Sequence, residues 1–138
     1  MHYIKENFTN LLDAMNQHDA AAMAALFAPN YRSEQPVHPQ RGFGGKEQVE
    51  ANWTQMFDGV PDLEAGVVKE STDGTTTWSE WVWRGSHRDG TPFLMKGVNV
   101  MGLTDDGLIA WARLYMEPVE QGGEAIDEAV LHLSGSTG

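Results

Sequence analysis

The 138-residue sequence contains no cysteine. Disulfides, thiolate nucleophiles and cysteine-based zinc sites are therefore excluded. Positive charge is scarce as well: nine lysines and arginines stand against twenty aspartates and glutamates, a formal net charge of -11. DNA, RNA and anionic membrane surfaces all demand a basic footprint, so neither a nucleic-acid nor a membrane partner is expected. Met1 to Thr9 holds no long apolar run, which predicts neither a signal peptide nor a transmembrane helix. The acidic composition fits a cytoplasmic protein. The five histidines never take H-x-H or H-E-x-x-H spacing, and the glycine cluster at 42–45 is not followed by Lys-Ser or Lys-Thr. No metal site, phosphate-binding loop or cofactor is expected.

What the chain does contain is a run of strand-forming sequence from Thr76 to Glu117. Three segments rich in aromatic and β-branched residues are separated by Arg88-Asp89-Gly90-Thr91 and Thr104-Asp105-Asp106-Gly107, both Asp-Gly hairpin signals. The pattern predicts a three-stranded meander, preceded by an outer strand from Leu63 to Lys69. Upstream, Ile4, Phe8, Leu11, Leu12 and Met15 fall at helical spacing, and Asp19 is a good N-cap for a helix from Ala20 to Phe27. A short strand is expected at Tyr31–Val37, then a third helix from Lys46 to Phe57. With no repeat and no linker, residues 1–138 form a single domain whose last five residues read as a frayed tail. The order predicts an α+β fold in which three N-terminal helices cover one face of a curved antiparallel sheet of about four long strands plus a short one.

At Phe27-Ala-Pro-Asn-Tyr31, Gly45-Lys-Glu-Gln-Val49, Val98-Asn-Val-Met-Gly-Leu-Thr-Asp-Asp-Gly-Leu-Ile109 and Arg113-Leu-Tyr-Met-Glu117, the sequence resembles the nuclear transport factor 2-like superfamily. That superfamily includes SnoaL-like polyketide cyclases, ketosteroid isomerases and limonene epoxide hydrolases. The resemblance runs from Tyr3 to about Val119 and implies a cone-shaped sheet enclosing an apolar pocket. It hosts many chemistries, so the fold does not decide function.

The resemblance also implies which side chains face the pocket: Glu80, Val82, Arg84, Met95, Gly97, Asn99, Ala112, Leu114 and Met116 from the strands, with Leu11, Gln35 and Trp53 from elsewhere. The alternative is a packed core, although burying Glu80, Arg84 and Asn99 unpaired would be costly. Asn99 falls where the isomerases carry an oxyanion-binding aspartic acid, and an amide can still donate there. Gln35 stands at the position of their general base and Leu11 at that of their oxyanion tyrosine, so isomerase chemistry is not expected. Leu114 replaces the aspartate of the cyclases and epoxide hydrolases. Glu80 remains as a candidate acid or base, Arg84 as an anion binder and His38 as a base at the pocket mouth.

Two functions follow. One is a cofactor-free isomerase, cyclase or lyase acting on a hydrophobic carbonyl or anionic substrate through Glu80, His38 and Asn99. In it Arg84, Trp53, Gln35, Val82, Met95, Leu114 and Met116 shape the binding site. The other is a binding or interaction module without chemistry, as the missing carboxylates suggest. In both the ligand is a small hydrophobic molecule. A homodimer is expected through the convex sheet face, with Trp81, Trp83, Trp111, Tyr115, Val98 and Val100 at its centre.

Overall fold

A computed structural model describes residues 2–136, with side chains from Lys5 onward. Thr137 and Gly138 of the anticipated tail, and the Ile4 side chain, lie outside the described residues. Helix α1 (His2–Asn16) buries Phe8, Leu11, Ala14 and Met15, one stripe at helical spacing. Each large apolar side chain removed from water there contributes about 1.5–3 kcal/mol. Helix α2 (Ala20–Ala24) starts at Asp19, whose Oδ1 accepts from the Ala22 N–H at 2.9 Å.

The second helix is shorter than its composition predicts, because Phe27 already belongs to a strand. Strand β1 (Phe27–Glu34) replaces the expected Tyr31–Val37 and turns Phe27, Tyr31 and Ser33 inward. A short 3-10 turn (Pro39–Arg41) leads to the two-residue strand β2 (Phe43–Gly44) and to helix α3 (Lys46–Gly59). Four long strands follow: β3 (Glu64–Asp73), β4 (Thr76–Ser86), β5 (Pro92–Leu103) and β6 (Ile109–Pro118). A final helix, α4 (Ile126–Leu133), comes after a seven-residue connection.

The six strands form one curved sheet in the order β2-β1-β6-β5-β4-β3. It is mixed, not wholly antiparallel as expected, because β1 runs parallel to β6. The fold is α+β, with α1, α2 and α3 on the concave side. Gly97 shows how tightly the sheet coils: a Cβ there would run into the Tyr115 carbonyl and come within 2.8 Å of the Met116 Cα. Among the described residues no helix is long and apolar enough to cross a membrane.

Strand pairing fixes the two faces. Trp81 pairs with Gly97, Trp83 with Met95 and Ser79 with Asn99, while Asn99 pairs with Leu114 and Met101 with Ala112. Paired residues share a face, so Trp81 and Trp83 point inward and Glu80, Val82 and Arg84 outward. This reverses the expected phase of β4. A shift of one residue sends every side chain of a strand to the other face.

Candidate functional site

The sheet and helices enclose a cavity of about 230 Å³ that opens to solvent on one side. Its apolar wall comes from every layer. Helices α1, α2 and α3 supply Leu11, Met15, Met23, Val49, Trp53 and Met56, and the strands supply Phe27, Phe43, Trp81, Trp83, Met95, Met101, Ala112 and Leu114. Five of the seven methionines are in this wall, and unbranched thioethers adapt to irregular ligands. The rings are interlocked: Trp53 meets Trp83 edge-on at 5.1 Å, and Phe27 meets Tyr31 at 4.6 Å.

The polar groups in the wall are Tyr31, Ser33, Gln35, Asn52 and Asn99, besides the indole nitrogens. No aspartate, glutamate, histidine, lysine or arginine is among the lining residues. Burial pushes the Tyr31 phenol up to about 12, a hydrogen bond with Ser33 opposing the shift, so near neutrality it keeps its proton. Trp81 is satisfied, its Nε1–H donating to Ser79 Oγ at 2.8 Å, and Ser79 Oγ–H donates to the Asn99 backbone carbonyl at 3.2 Å.

Three other lining groups have no such partner. Trp83 Nε1, Asn99 Oδ1 and Ser33 Oγ are buried and make no hydrogen bond. Each of these residues is less than a tenth exposed. An unpaired buried polar group costs about 1–3 kcal/mol. Concentrating three of them on a cavity wall is a feature of a site that hydrogen-bonds what it holds.

Of the residues singled out in the sequence, Trp53, Gln35, Met95, Leu114 and Asn99 line the cavity. Met116 is buried in the core beside it without lining it. Val82 is half-buried on the outer face, where Glu80 and Arg84 are exposed. The expected pairing of Glu80 and Arg84 inside the pocket is therefore corrected: ionised side chains take the solvated face, and the two indoles take the enclosed one. His38 is not in the wall either. Its Nε2–H donates to Glu117 Oε1 at 2.6 Å on the outer side.

Gln35 separates the inner cavity from a shallow outer cleft of about 340 Å³ lined by Arg32, Glu34, Arg113 and Tyr115. Its Oε1 accepts from Arg41 Nη1 at 3.2 Å. Among the described residues no three of His, Asp and Glu converge as a metal site would require.

Sequence reasoning missed Trp81, Trp83, Tyr31 and Ser33 as cavity residues. For β4 a signal was present, since its even positions hold Glu80 and Arg84 and its odd positions do not carry a charge. For β1 the i, i+2, i+4 row Tyr31, Ser33, Gln35 carries it.

The sequence profile of the SnoaL-like domain matches residues 8–112. No curated protein matches the sequence. Among solved structures, RV0760c from Mycobacterium tuberculosis, crystallised with estradiol-17β-hemisuccinate, is 20% identical with a TM-score of 0.70, over 82% of this chain and 92% of that one. A SnoaL-like protein from Jannaschia sp. CCS1, provisionally assigned as a polyketide cyclase, is 20% identical with a TM-score of 0.71, over 84% and 86%. A protein with a ketosteroid isomerase-like fold from Catenulispora acidiphila, bound to trimethylamine, is 18% identical with a TM-score of 0.68, over 95% and 93%.

Proposed function

The chain belongs to the SnoaL-like domain family of the nuclear transport factor 2-like superfamily, and on that premise we propose that its cavity binds a neutral, largely apolar small molecule. The observation that carries this reading is the composition of the wall: aromatic rings, methionines and unpartnered neutral polar groups, with no ionisable carboxylate, imidazole, ammonium or guanidinium. An engineered cavity of about 150 Å³ admits benzene. A cavity of about 230 Å³ is then sized for two fused rings, with any further substituent leaving through the open side. The fused-ring steroid ester bound to the Mycobacterium tuberculosis structure is a ligand of this general type and supports the reading.

The ligand carries oxygen. Trp83 Nε1–H can only donate and Asn99 Oδ1 can only accept, while Ser33 Oγ does either. A neutral hydroxyl or carbonyl compound answers these groups, and an anion does not, because Arg84 is turned away from the cavity. The enzyme reading relied on Glu80 or His38 as a base, and neither has a path to a bound molecule from the outer side. Binding without proton transfer to a side chain is the function the site supports best. A cytoplasmic setting belongs to the same proposal, supported by the acidic composition.

The test is calorimetric titration with 2-naphthol and with 2-naphthoate, which share a ring system and differ in charge. Enclosing a carboxylate without a counter-charge costs several kcal/mol. The neutral phenol is expected to bind at least about tenfold more tightly. Preferential binding of naphthoate would overturn the proposal.

A further inference from the structure

Helix α4 is eight residues long, none of them buried, and Ile126 and Leu133 are 73% and 87% exposed. Val130 and Leu131 are exposed as well. A helix this short is marginal in water unless an apolar stripe is packed against something. Its acidic side is equally plain: from Glu120 to Leu133 the chain carries Glu120, Glu124, Asp127 and Glu128 and no lysine or arginine.

The outer face of the sheet is the complementary surface. Trp78 is 52% exposed, and Val98, Trp111 and Tyr115 lie on the same face across the two neighbouring strands. The Trp111 ring lies flat over Gly102, where a Cβ would collide with it, so this aromatic is fixed in place. Arg32, Lys69, Arg84, Lys96 and Arg113 also point outward, five of the nine cations in an acidic chain. Among the described residues Arg32 and Arg113, beside Tyr115, take part in no ion pair. Within one chain the helix and the face leave each other uncovered.

We propose that α4 of one copy packs on the outer sheet face of a second copy, and reciprocally. The apolar stripe of α4 covers Trp78, Val98, Trp111 and Tyr115, while its acidic residues and those of its lead-in meet Arg32 and Arg113. A two-fold axis makes the contact twice, which brings the buried surface to the scale of a standard interface, about 1,200–2,000 Å². The seven residues from Val119 to Ala125 span at most about 23 Å when extended, enough to carry the helix across a dimer axis. The interface expected from sequence is thereby redrawn. Trp81 and Trp83 belong to the cavity, and Trp78 and α4 take their place.

Sedimentation at micromolar concentration is expected to give twice the 15.2 kDa of one chain. A chain ending at Val119, and the full chain with Val130→Asp and Leu133→Asp, are both expected to sediment as monomers with unchanged far-ultraviolet dichroism. The lack of native cysteine allows a direct check of reach. A Val130→Cys chain mixed with a Val98→Cys chain should form a crosslinked heterodimer under mild oxidation. A monomeric wild type overturns the proposal, and so does a dimer that survives both α4 variants. A crosslink that forms only within the doubly substituted chain assigns α4 to its own sheet and overturns it equally.

Discussion

Replacing Asn99 by leucine separates a site awaiting a ligand from an amide that holds the fold together. Asn99 is 5% exposed, sits between Ser79 and Leu114 in the sheet, and its side chain makes no hydrogen bond among the described residues. Leucine has nearly the same volume and nothing to satisfy. Removing an unpaired buried amide oxygen should therefore return about 1–3 kcal/mol to the unliganded protein. At about 2.1 cal/mol/K per residue, a chain of 138 residues unfolds with an entropy of roughly 290 cal/mol/K. The gain corresponds to a rise in Tm of roughly 3–10 °C. The same variant should bind 2-naphthol about tenfold more weakly, since one hydrogen bond to ligand is worth about 1.4 kcal/mol. Calorimetric melts of both proteins, each with and without ligand, give all four numbers. A Tm below that of the wild type would show that the amide supports the sheet, and the argument from unpartnered groups would fail with it.

Other substitutions test neighbouring steps. Trp53→Ala removes the half-buried ring that stands edge-on to Trp83, and titration should show a loss of affinity of at least about tenfold. Its stability cost should stay below the about 3–5 kcal/mol of a fully buried tryptophan in denaturant melts. Glu80→Gln and Arg84→Gln should leave the affinity for 2-naphthol within about twofold of wild type, because both side chains lie outside the cavity. Gly97→Ala places a methyl against the β6 backbone, which cannot yield as a side chain would, and should cost about 3 kcal/mol or more in urea unfolding. Tyr31→Phe tests burial through pH. Above pH 10 the unfolded tyrosine ionises while the folded one keeps its proton to about 12, so the unfolded state binds fewer protons and stability falls through that window. About 2–3 kcal/mol should be lost by the wild type across it, and the loss should be absent in the variant.

What sequence reveals and conceals here follows from the physics of each element. The meander was legible because Asp89-Gly90 and Asp106-Gly107 have few conformational alternatives between apolar runs, and the turns fall there, with Gly90 and Gly107 at positive φ. Helices α1 and α3 were legible from apolar spacing, and the α2 start from its cap. Strand β1 was misplaced because Pro29-Asn30 reads as a stop. In the fold Pro29 falls within the irregular stretch between Phe27 and Arg32, where the ladder to β6 is interrupted and a missing N–H is tolerated. The parallel pairing of β1 with β6 brings together segments some eighty residues apart, and no local pattern announces it.

The phase of β4 is the more instructive case. Resemblance to a family placed Glu80 and Arg84 inside, whereas the alternation of charge along the same strand argues that they belong in water. The two readings differ by one residue of register, and one residue exchanges a charged pocket for a neutral one. Every expectation about catalysis that depended on Glu80 and Arg84 turned with that strand. The desolvation cost of two charges was therefore better evidence about β4 than the likeness was. The same reasoning explains why Asn99 stays on the cavity side: an uncharged amide can wait unpaired for a ligand at a cost of a few kcal/mol, and an isolated buried carboxylate cannot.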